Sequence, residues 1–175
     1  MKIGVLCQHR SGHSAYEQQL AEDTGLEIAP EFNLNHKNVY DYVRNLPKNC
    51  IFSMMPREGI GEVMFAHTDI EWRILLREDF TTQCLSFVYT NKTQVFNGEQ
   101  QTKEQVDIGL VDTFFDYYKI IKLVAEQNLY KIYKYEDLDF SLAYWKKNTN
   151  QYTDLISNIN EVMQRIGHYR NQLSL

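Results

Sequence analysis

The sequence predicts an α/β protein, a three-layer sandwich around a central parallel sheet of about four to five strands. Short runs of β-branched and apolar residues alternate with longer helical patterns, which is typical of crossover connections between parallel strands. The chain has 175 residues, of which 43% are hydrophobic and 13% aromatic, so it can bury a sizeable core. Because a domain typically has ~150 residues, we expect one domain over residues 1–175.

The first strand and helix lie at the start of the chain. The apolar run Lys2–Cys7 predicts a buried strand. Residues Ser14–Asp23 place Ala15 and Leu20 among good helix formers, and Gly25 suits a helix end. A helix therefore follows the first strand directly.

The next elements also alternate between strand and helix. Leu26–Phe32 has room for a brief strand, and Asn38–Asn45 for a short helix. Asn49–Met55 predicts a strand that Pro56 ends, because proline has no N–H for a strand ladder. Glu71–Leu76 predicts the strand that follows.

The second half of the chain is mainly helical by its pattern. A helix is predicted from Asp79 to about Tyr89, and apolar residues that recur every three or four positions predict another over Glu104–Asn128. Leu129–Tyr135 predicts the last strand, and Tyr152–Leu173 a final helix. The polar segment Asn91–Lys103 is the predicted mobile loop.

Charge and cysteine content exclude several classes of function. A net charge of −5 argues against general binding to nucleic acid or anionic membranes, which need a basic surface, but it allows a local basic site. No stretch approaches the ~20 apolar residues of a membrane span, and the first apolar run is too short for a secretion signal. Because Cys7, Cys50 and Cys84 lie in apolar contexts typical of buried free thiols, we expect a cytoplasmic protein.

The segment 9–14, His-Arg-Ser-Gly-His-Ser, is the candidate binding loop. It joins a buried strand to a helix, which places Gly12 and the first helical N–H groups at the carboxyl edge of the sheet, where α/β proteins bind anions. The Arg10 guanidinium and a hydroxyl of Ser11 or Ser14 would help to hold a phosphate or sulfonate. The Gly-x4-Gly-Lys-Ser/Thr pattern is absent, which argues against a small P-loop kinase or ordinary ATP or GTP hydrolysis.

Arg10-Ser11-Gly12, with a hydroxyl residue soon after, resembles the 5′-phosphosulfate-binding loop of sulfotransferases that use 3′-phosphoadenosine 5′-phosphosulfate (PAPS). His13 stands where that family often has Ser or Thr, so the resemblance implies that it donates to the sulfonyl oxygens. A second motif, Arg77-x-Asp-x3-Gln-x2-Ser86, is similar to the pattern found in the carbohydrate branch of the family, typified by trehalose sulfotransferases. The resemblance implies that Arg77 and Ser86 bind the 3′-phosphate.

Two more segments share this resemblance. Pro30-Glu31-Phe32 is similar to a segment that carries the catalytic base of the carbohydrate branch. An acceptor hydroxyl must lose its proton as it attacks sulfur, and either Glu31 or His36 can accept it. The segment 135–138, Tyr-Glu-Asp-Leu, looks like the family's late structural turn, where the acidic pair satisfies backbone N–H groups or caps a following helix.

Together these motifs imply a P-loop NTPase-like, sulfotransferase-like fold and transfer of a sulfuryl group from PAPS to a hydroxyl of a carbohydrate or small molecule. Attack would be in line, and no metal is expected; His9 and His13 are four apart, but Gly12 and the loop position argue against a metal pair. The chain is short for the family and has Ser53-Met54-Met55-Pro56 where several members carry a Lys, for which Arg57 or His13 would substitute. The alternative is a non-catalytic nucleotide- or anion-binding module.

Overall fold

The computed structural model describes residues 1–30, 38–57, 59–94, 102–138, 140 and 152–173. Its five strands are β1 (Lys2–Cys7), β2 (Glu27–Ile28), β3 (Cys50–Met54), β4 (Ile70–Leu76) and β5 (Lys131–Lys134). The α-helices among these residues are α1 (His13–Thr24), α2 (Val39–Asn45), α3 (Ile60–Ala66), α4 (Phe80–Thr93), α5 (Gly109–Glu126), α6 (Tyr152–Leu155) and α7 (Ile159–Leu173). A short 3-10 helix, Tyr135–Asp137, follows β5.

The chain comprises two compact units, Met1–Glu78 with Tyr117–Trp145 and Asp79–Asp116 with Lys146–Leu175. The first unit contains the whole sheet, and the second contains α4, α6, α7 and the start of α5. Each unit has buried apolar side chains of its own. That residues 1–175 form a single domain stays a prediction.

The sheet of the first unit is parallel throughout and has the order β2-β3-β1-β4-β5. The central strand β1 is buried at every residue from Ile3 to Cys7, as its continuous apolar sequence requires in a sheet covered on both faces. The predicted α/β class with a parallel sheet of this size is therefore confirmed.

Helices cover both faces of this sheet. Ile3, Val5 and Cys7 of β1 pack with residues of α1 on one face. Leu6 faces the other side, where its cluster includes buried residues of α2, α3 and the part of α5 after Tyr117. The arrangement within this unit is consistent with a three-layer α/β fold.

The helices differ from the sequence prediction in two places. Helix α3 was not predicted, because its seven residues are too few for a clear helical period; its buried residues are Ile60, Val63 and Met64. The single helix predicted over Tyr152–Leu173 is two helices. The Asn158 side chain lies between them, where its Oδ1 accepts from the Val106 N–H and its Nδ2 donates to the Val106 carbonyl, both at 3.0 Å.

The loop and strand boundaries also differ from expectation. Helix α4 extends to Thr93, so the predicted loop Asn91–Lys103 starts within a helix, and residues 95–101 lie outside the described residues. Strand β2 is only Glu27–Ile28, both exposed at the edge of the sheet. The brief strand predicted within Leu26–Phe32 is therefore present at these two residues.

Aromatic packing and an ion pair help to hold the described part of the second unit together. The Phe114 ring centre lies 5.4 Å from that of Phe80 and 5.3 Å from that of Phe87. Arg165 pairs with Asp112 through its Nε and Nη2, at 2.7 and 2.9 Å from the two carboxylate oxygens. The pKa of Asp112 is lowered chiefly by this hydrogen bond from Arg165.

All three cysteines are buried thiols outside any disulfide, as predicted. Burial raises the pKa of the Cys84 thiol above its usual range, so this thiol stays protonated. Among the residues that the structure describes, no helix has the length and apolar composition needed to cross a membrane.

Aromatic side chains pack closely against Gly4 of β1 on one face of the sheet. A Cβ at this position would lie 2.5 Å from two ring carbons of Trp72 and 2.9 Å from Cζ of Phe52. We expect Gly4→Ala to lower the free energy of unfolding by about 1–3 kcal/mol, as overpacking of a core does. Denaturant unfolding measures the change.

Gly61→Ala is the matched control for this substitution. Gly61 is exposed in α3, and a Cβ there meets no atom within 4 Å. Alanine in a helix is favoured over glycine by roughly 0.5–1 kcal/mol, so this variant should be as stable as the wild type or more stable. Equal losses in both variants would contradict the packing at Gly4.

Candidate anion-binding site

The carboxyl ends of β1, β3 and β4 meet at one edge of the sheet, because these neighbouring strands are parallel. Helix α1 leaves β1 over one face, while α3 leaves β3 over the opposite face. Ligands of open α/β sheets bind at such a point, where successive crossovers diverge. The loop after β1 is therefore in the position that the sequence analysis gave it.

An arginine follows each of the three central strands at this edge. Arg10 comes after β1, Arg57 after β3 and Arg77 after β4, and all three are half-buried. In a chain of net charge −5, these residues concentrate positive charge at one edge. Nearby acidic groups have partners, since Glu78 pairs with Lys134 and Glu136 binds the backbone N–H of Glu78.

The loop after β1 has a left-handed backbone at two positions. Arg10 has φ 62°, and Gly12, the residue before α1, has φ 77°. The Ser11 N–H donates to the Gln8 carbonyl at 3.2 Å. This conformation turns the chain from the end of β1 directly into the first turn of α1.

The start of α1 has free backbone donors. No side chain caps the helix at Gly12, and the structure describes no acceptor for the N–H groups of Ser14 and Ala15. The first N–H groups of a helix lack partners within the helix and lie at the positive end of its dipole. They suit a phosphate or sulfonate oxygen.

Oγ of Ser11 and Nε of Arg77 are buried polar atoms at this edge that have no hydrogen-bond partner among the described residues. Ser11 is fully buried, at 0% exposure. Leaving a buried polar group unsatisfied costs about 1–3 kcal/mol, more if it is charged. An anionic oxygen accepts from both a hydroxyl and a guanidinium, so these residues fit a bound phosphate or sulfonate.

Arg77 contacts the loop directly. Its Nη1 donates to the carbonyl oxygen of Arg10 at 3.2 Å, and its guanidinium carbon lies 4.2 Å from the centre of the Tyr135 ring. The Glu136 carboxylate accepts from the Glu78 N–H at 3.1 and 3.3 Å. The predicted role of this acidic residue in satisfying a backbone N–H group is confirmed.

Tyr16 links α1 to the sheet below the loop. Its hydroxyl accepts a hydrogen bond of 3.3 Å from Nη1 of Arg73, a β4 residue that also pairs with Glu71. Burial raises the pKa of Tyr16 above its usual range, so the hydroxyl stays neutral. This contact helps to fix the helix whose first turn borders the candidate site.

The structure brings together most of the predicted binding residues. Six of them lie in the first unit, at the ends of β1 and β4 or in the first turn of α1: Arg10, Ser11, Gly12, His13, Ser14 and Arg77. Ser86 belongs to the second unit, is buried in α4, and donates from Oγ to the Tyr152 hydroxyl at 3.0 Å. The candidate bases Glu31 and His36 lie outside the described residues.

Tyr135 is the contact that sequence reasoning missed. A Cβ on Gly12 would lie only 2.7 Å from Cδ2 of Tyr135, so the ring lies directly against the loop backbone. The sequence marked the Tyr-Glu-Asp-Leu segment as a structural turn, but its contact with Gly12 depends on how β5 is placed in the sheet. No local pattern in the sequence reports that placement.

No three His, Cys, Asp or Glu side chains within the described parts of the chain are grouped so that they could hold a metal ion. Comparison of the chain with models of known protein families and with curated proteins finds no match.

Proposed function

We propose that this chain transfers a sulfuryl group from PAPS to a hydroxyl of a carbohydrate or small molecule. The observation that carries the proposal is the uncapped start of α1 after the central strand, beside the fully buried Ser11 hydroxyl, which has no partner among the described residues. This combination suits a tetrahedral anion rather than a neutral ligand. The order of the sequence motifs suits PAPS among the anions that such a loop can bind.

In this proposal the loop binds the 5′-phosphosulfate. Arg10 and the N–H groups at the start of α1 hold its oxygens, and Ser11, His13 and Ser14 add donors. Arg77 binds the 3′-phosphate. Within the described part of the chain, Nε of Arg77 has no hydrogen-bond partner, although the guanidinium stacks on the Tyr135 ring. This Nε is therefore a donor for the 3′-phosphate.

PAPS supplies an activated sulfuryl group. The acceptor oxygen forms a bond to sulfur, the bond from sulfur to the bridging phosphate oxygen breaks, and 3′,5′-bisphosphoadenosine leaves. Glu31 or His36 takes the acceptor proton. Arg10 and the helix-start N–H groups stabilise the negative charge that grows on the bridging oxygen, which is the same electrostatic contribution that lowers barriers in phosphoryl transfer.

Calorimetry with 3′,5′-bisphosphoadenosine, followed by a transfer assay with PAPS and a panel of hydroxyl acceptors, tests the proposal. Binding of the bisphosphate and transfer to at least one acceptor are expected. Binding of neither nucleotide would overturn the proposal.

A second candidate is a non-catalytic nucleotide- or anion-binding module. It is favoured by the end of β3, where the chain has Ser53-Met54-Met55-Pro56 and therefore no lysine to assist the leaving group. Arg57 follows directly and is the cation that would substitute for it. Tight binding of the bisphosphate without transfer to any acceptor would favour the module over the enzyme.

Ser11→Ala separates a binding role from a folding role. The Ser11 hydroxyl is buried and has no partner in the described parts of the chain. Its removal should therefore leave the free energy of unfolding of the ligand-free protein unchanged or higher by up to ~1–3 kcal/mol. The same change should weaken bisphosphate binding about tenfold, the effect of losing one hydrogen bond to a charged group. Denaturant unfolding and calorimetry measure the two effects.

Ser86→Ala is the matched control for stability. Ser86 is also buried, but its hydroxyl donates to Tyr152, so its loss should lower the free energy of unfolding by about 1 kcal/mol. If Ser11→Ala destabilised the protein as Ser86→Ala does and bound the bisphosphate normally, the Ser11 hydroxyl would be part of the fold rather than of the site.

A further inference from the structure

The Tyr135 ring is packed against the anion loop. It lies in the 3-10 turn after β5 and is 8% exposed. A Cβ on Gly12 would lie 2.7 Å from its Cδ2 and 2.8 Å from its Cε2, distances that only a glycine allows. The ring therefore limits how the backbone at Gly12 can move.

The Arg77 guanidinium stacks on the same ring. The guanidinium carbon lies 4.2 Å from the ring centre, within the range of a cation–π contact. From this position Arg77 donates through Nη1 to the carbonyl oxygen of Arg10. The contacts thus run from Tyr135 to both ends of the Arg10–Gly12 turn.

This turn needs external support. Arg10 is not a glycine, yet it has φ 62°, and a left-handed backbone is strained for such a residue. The hydrogen bond from Arg77 stabilises the strained peptide through its carbonyl. Without support, the turn would relax toward conformations in which Arg10 and the first N–H groups of α1 no longer converge.

We propose that Tyr135 is a positioning residue of the anion site, which holds Gly12 by contact and Arg10 through Arg77, so that the loop is in its binding conformation before the ligand arrives. The proposal rests on the proposed binding of a nucleotide 5′-phosphate at this loop. Tyr135 itself does not touch the ligand. A loop held in advance gains affinity because less ordering remains to be paid for on binding.

The test compares Tyr135→Phe, Tyr135→Leu and Tyr133→Leu by calorimetry with 3′,5′-bisphosphoadenosine, on samples shown to be folded by circular dichroism. Tyr135→Phe keeps the ring and should bind within about threefold of the wild type, whereas Tyr135→Leu should bind about tenfold more weakly or worse. Rescue by the phenylalanine variant is the result that marks the ring as the positioning group.

Tyr133→Leu is the matched control. Tyr133 lies on β5, just before the turn that contains Tyr135, and its ring packs on Tyr16 of α1. The guanidinium carbon of Arg73 lies 5.3 Å from the centre of the Tyr133 ring. It has the same kind of contacts but belongs to the sheet core beneath α1 rather than to the loop. Its replacement should lower stability and leave the affinity unchanged.

The outcomes separate this proposal from the proposed function. A wild type that binds no nucleotide overturns the proposed function and this inference with it. A wild type that binds, with Tyr135→Leu binding equally well, overturns the positioning role alone. If affinity falls equally in Tyr133→Leu and Tyr135→Leu, the effect is one of general stability and the positioning role is also wrong.

Arg77→Lys provides a second test of the positioning role if Tyr135→Leu does not fold. Lysine keeps the charge but has neither the planar group that stacks on Tyr135 nor the Nη1 donor to Arg10. Its affinity for adenosine 5′-monophosphate, which has no 3′-phosphate for Arg77 to contact, should fall about tenfold if Arg77 acts through the loop. Unchanged affinity for this ligand would overturn the proposal.

Discussion

Replacement of Arg10 by alanine is expected to reduce PAPS-dependent transfer by ~100-fold or more and to leave the fold intact. In the proposed function, the guanidinium faces the charge that develops on the bridging oxygen, and such donors contribute most in the transition state. The backbone carbonyl of Arg10 accepts the hydrogen bond from Arg77, and alanine retains that carbonyl. The variant therefore removes the charge while the contact between the strand ends remains possible.

Single-turnover assays with PAPS and the best acceptor of the panel measure this loss, and circular dichroism verifies the fold. Arg44→Ala is the matched control, since Arg44 is exposed in α2 of the same unit and precedes β3 rather than following a strand at the site. It should transfer at the wild-type rate. Full activity of Arg10→Ala would show that the loop after β1 is not the transfer site.

The three central strands could be predicted because each is a short, mainly apolar run. Strand β1 begins and ends at the predicted residues, Lys2 and Cys7, and Pro56 lies just beyond β3 as expected. Helix α3 could not be predicted from period, because it is a seven-residue helix opened by Gly59 at φ 79° and stabilised by tertiary burial. The break before α7 likewise depends on Asn158 and its distant partner Val106.

The same distinction applies to the site. Arg10, Ser11 and Gly12 are adjacent in the chain, so their common position follows once a strand and a helix are predicted on either side. That Arg77 reaches the loop requires β4 to pair next to β1, which parallel pairing of Cys7 with Leu75 provides. Hydrophobic pattern reports which residues are buried in strands, but it does not report the order of the strands.

Gly12→Ala is expected to be the most damaging single substitution at the loop. Alanine at φ 77° costs roughly 1–2 kcal/mol for the left-handed backbone alone. Its Cβ would also lie 2.7 Å from Tyr135, so the ring must shift, which adds about 1–3 kcal/mol as overpacking does. Because the ring also carries Arg77, bisphosphate binding should be lost together with stability.

Gly25→Ala isolates the backbone contribution, because Gly25 ends the same helix at φ 68° and a Cβ there meets no atom within 4 Å. Denaturant unfolding should show a loss of roughly 1–2 kcal/mol for this control, from left-handed strain only, with bisphosphate affinity unchanged by calorimetry. The difference between the two variants then measures the contact of Gly12 with Tyr135. If both lost the same stability and both bound the bisphosphate, the ring would not constrain the loop, and the convergence of donors after β1 would need another cause.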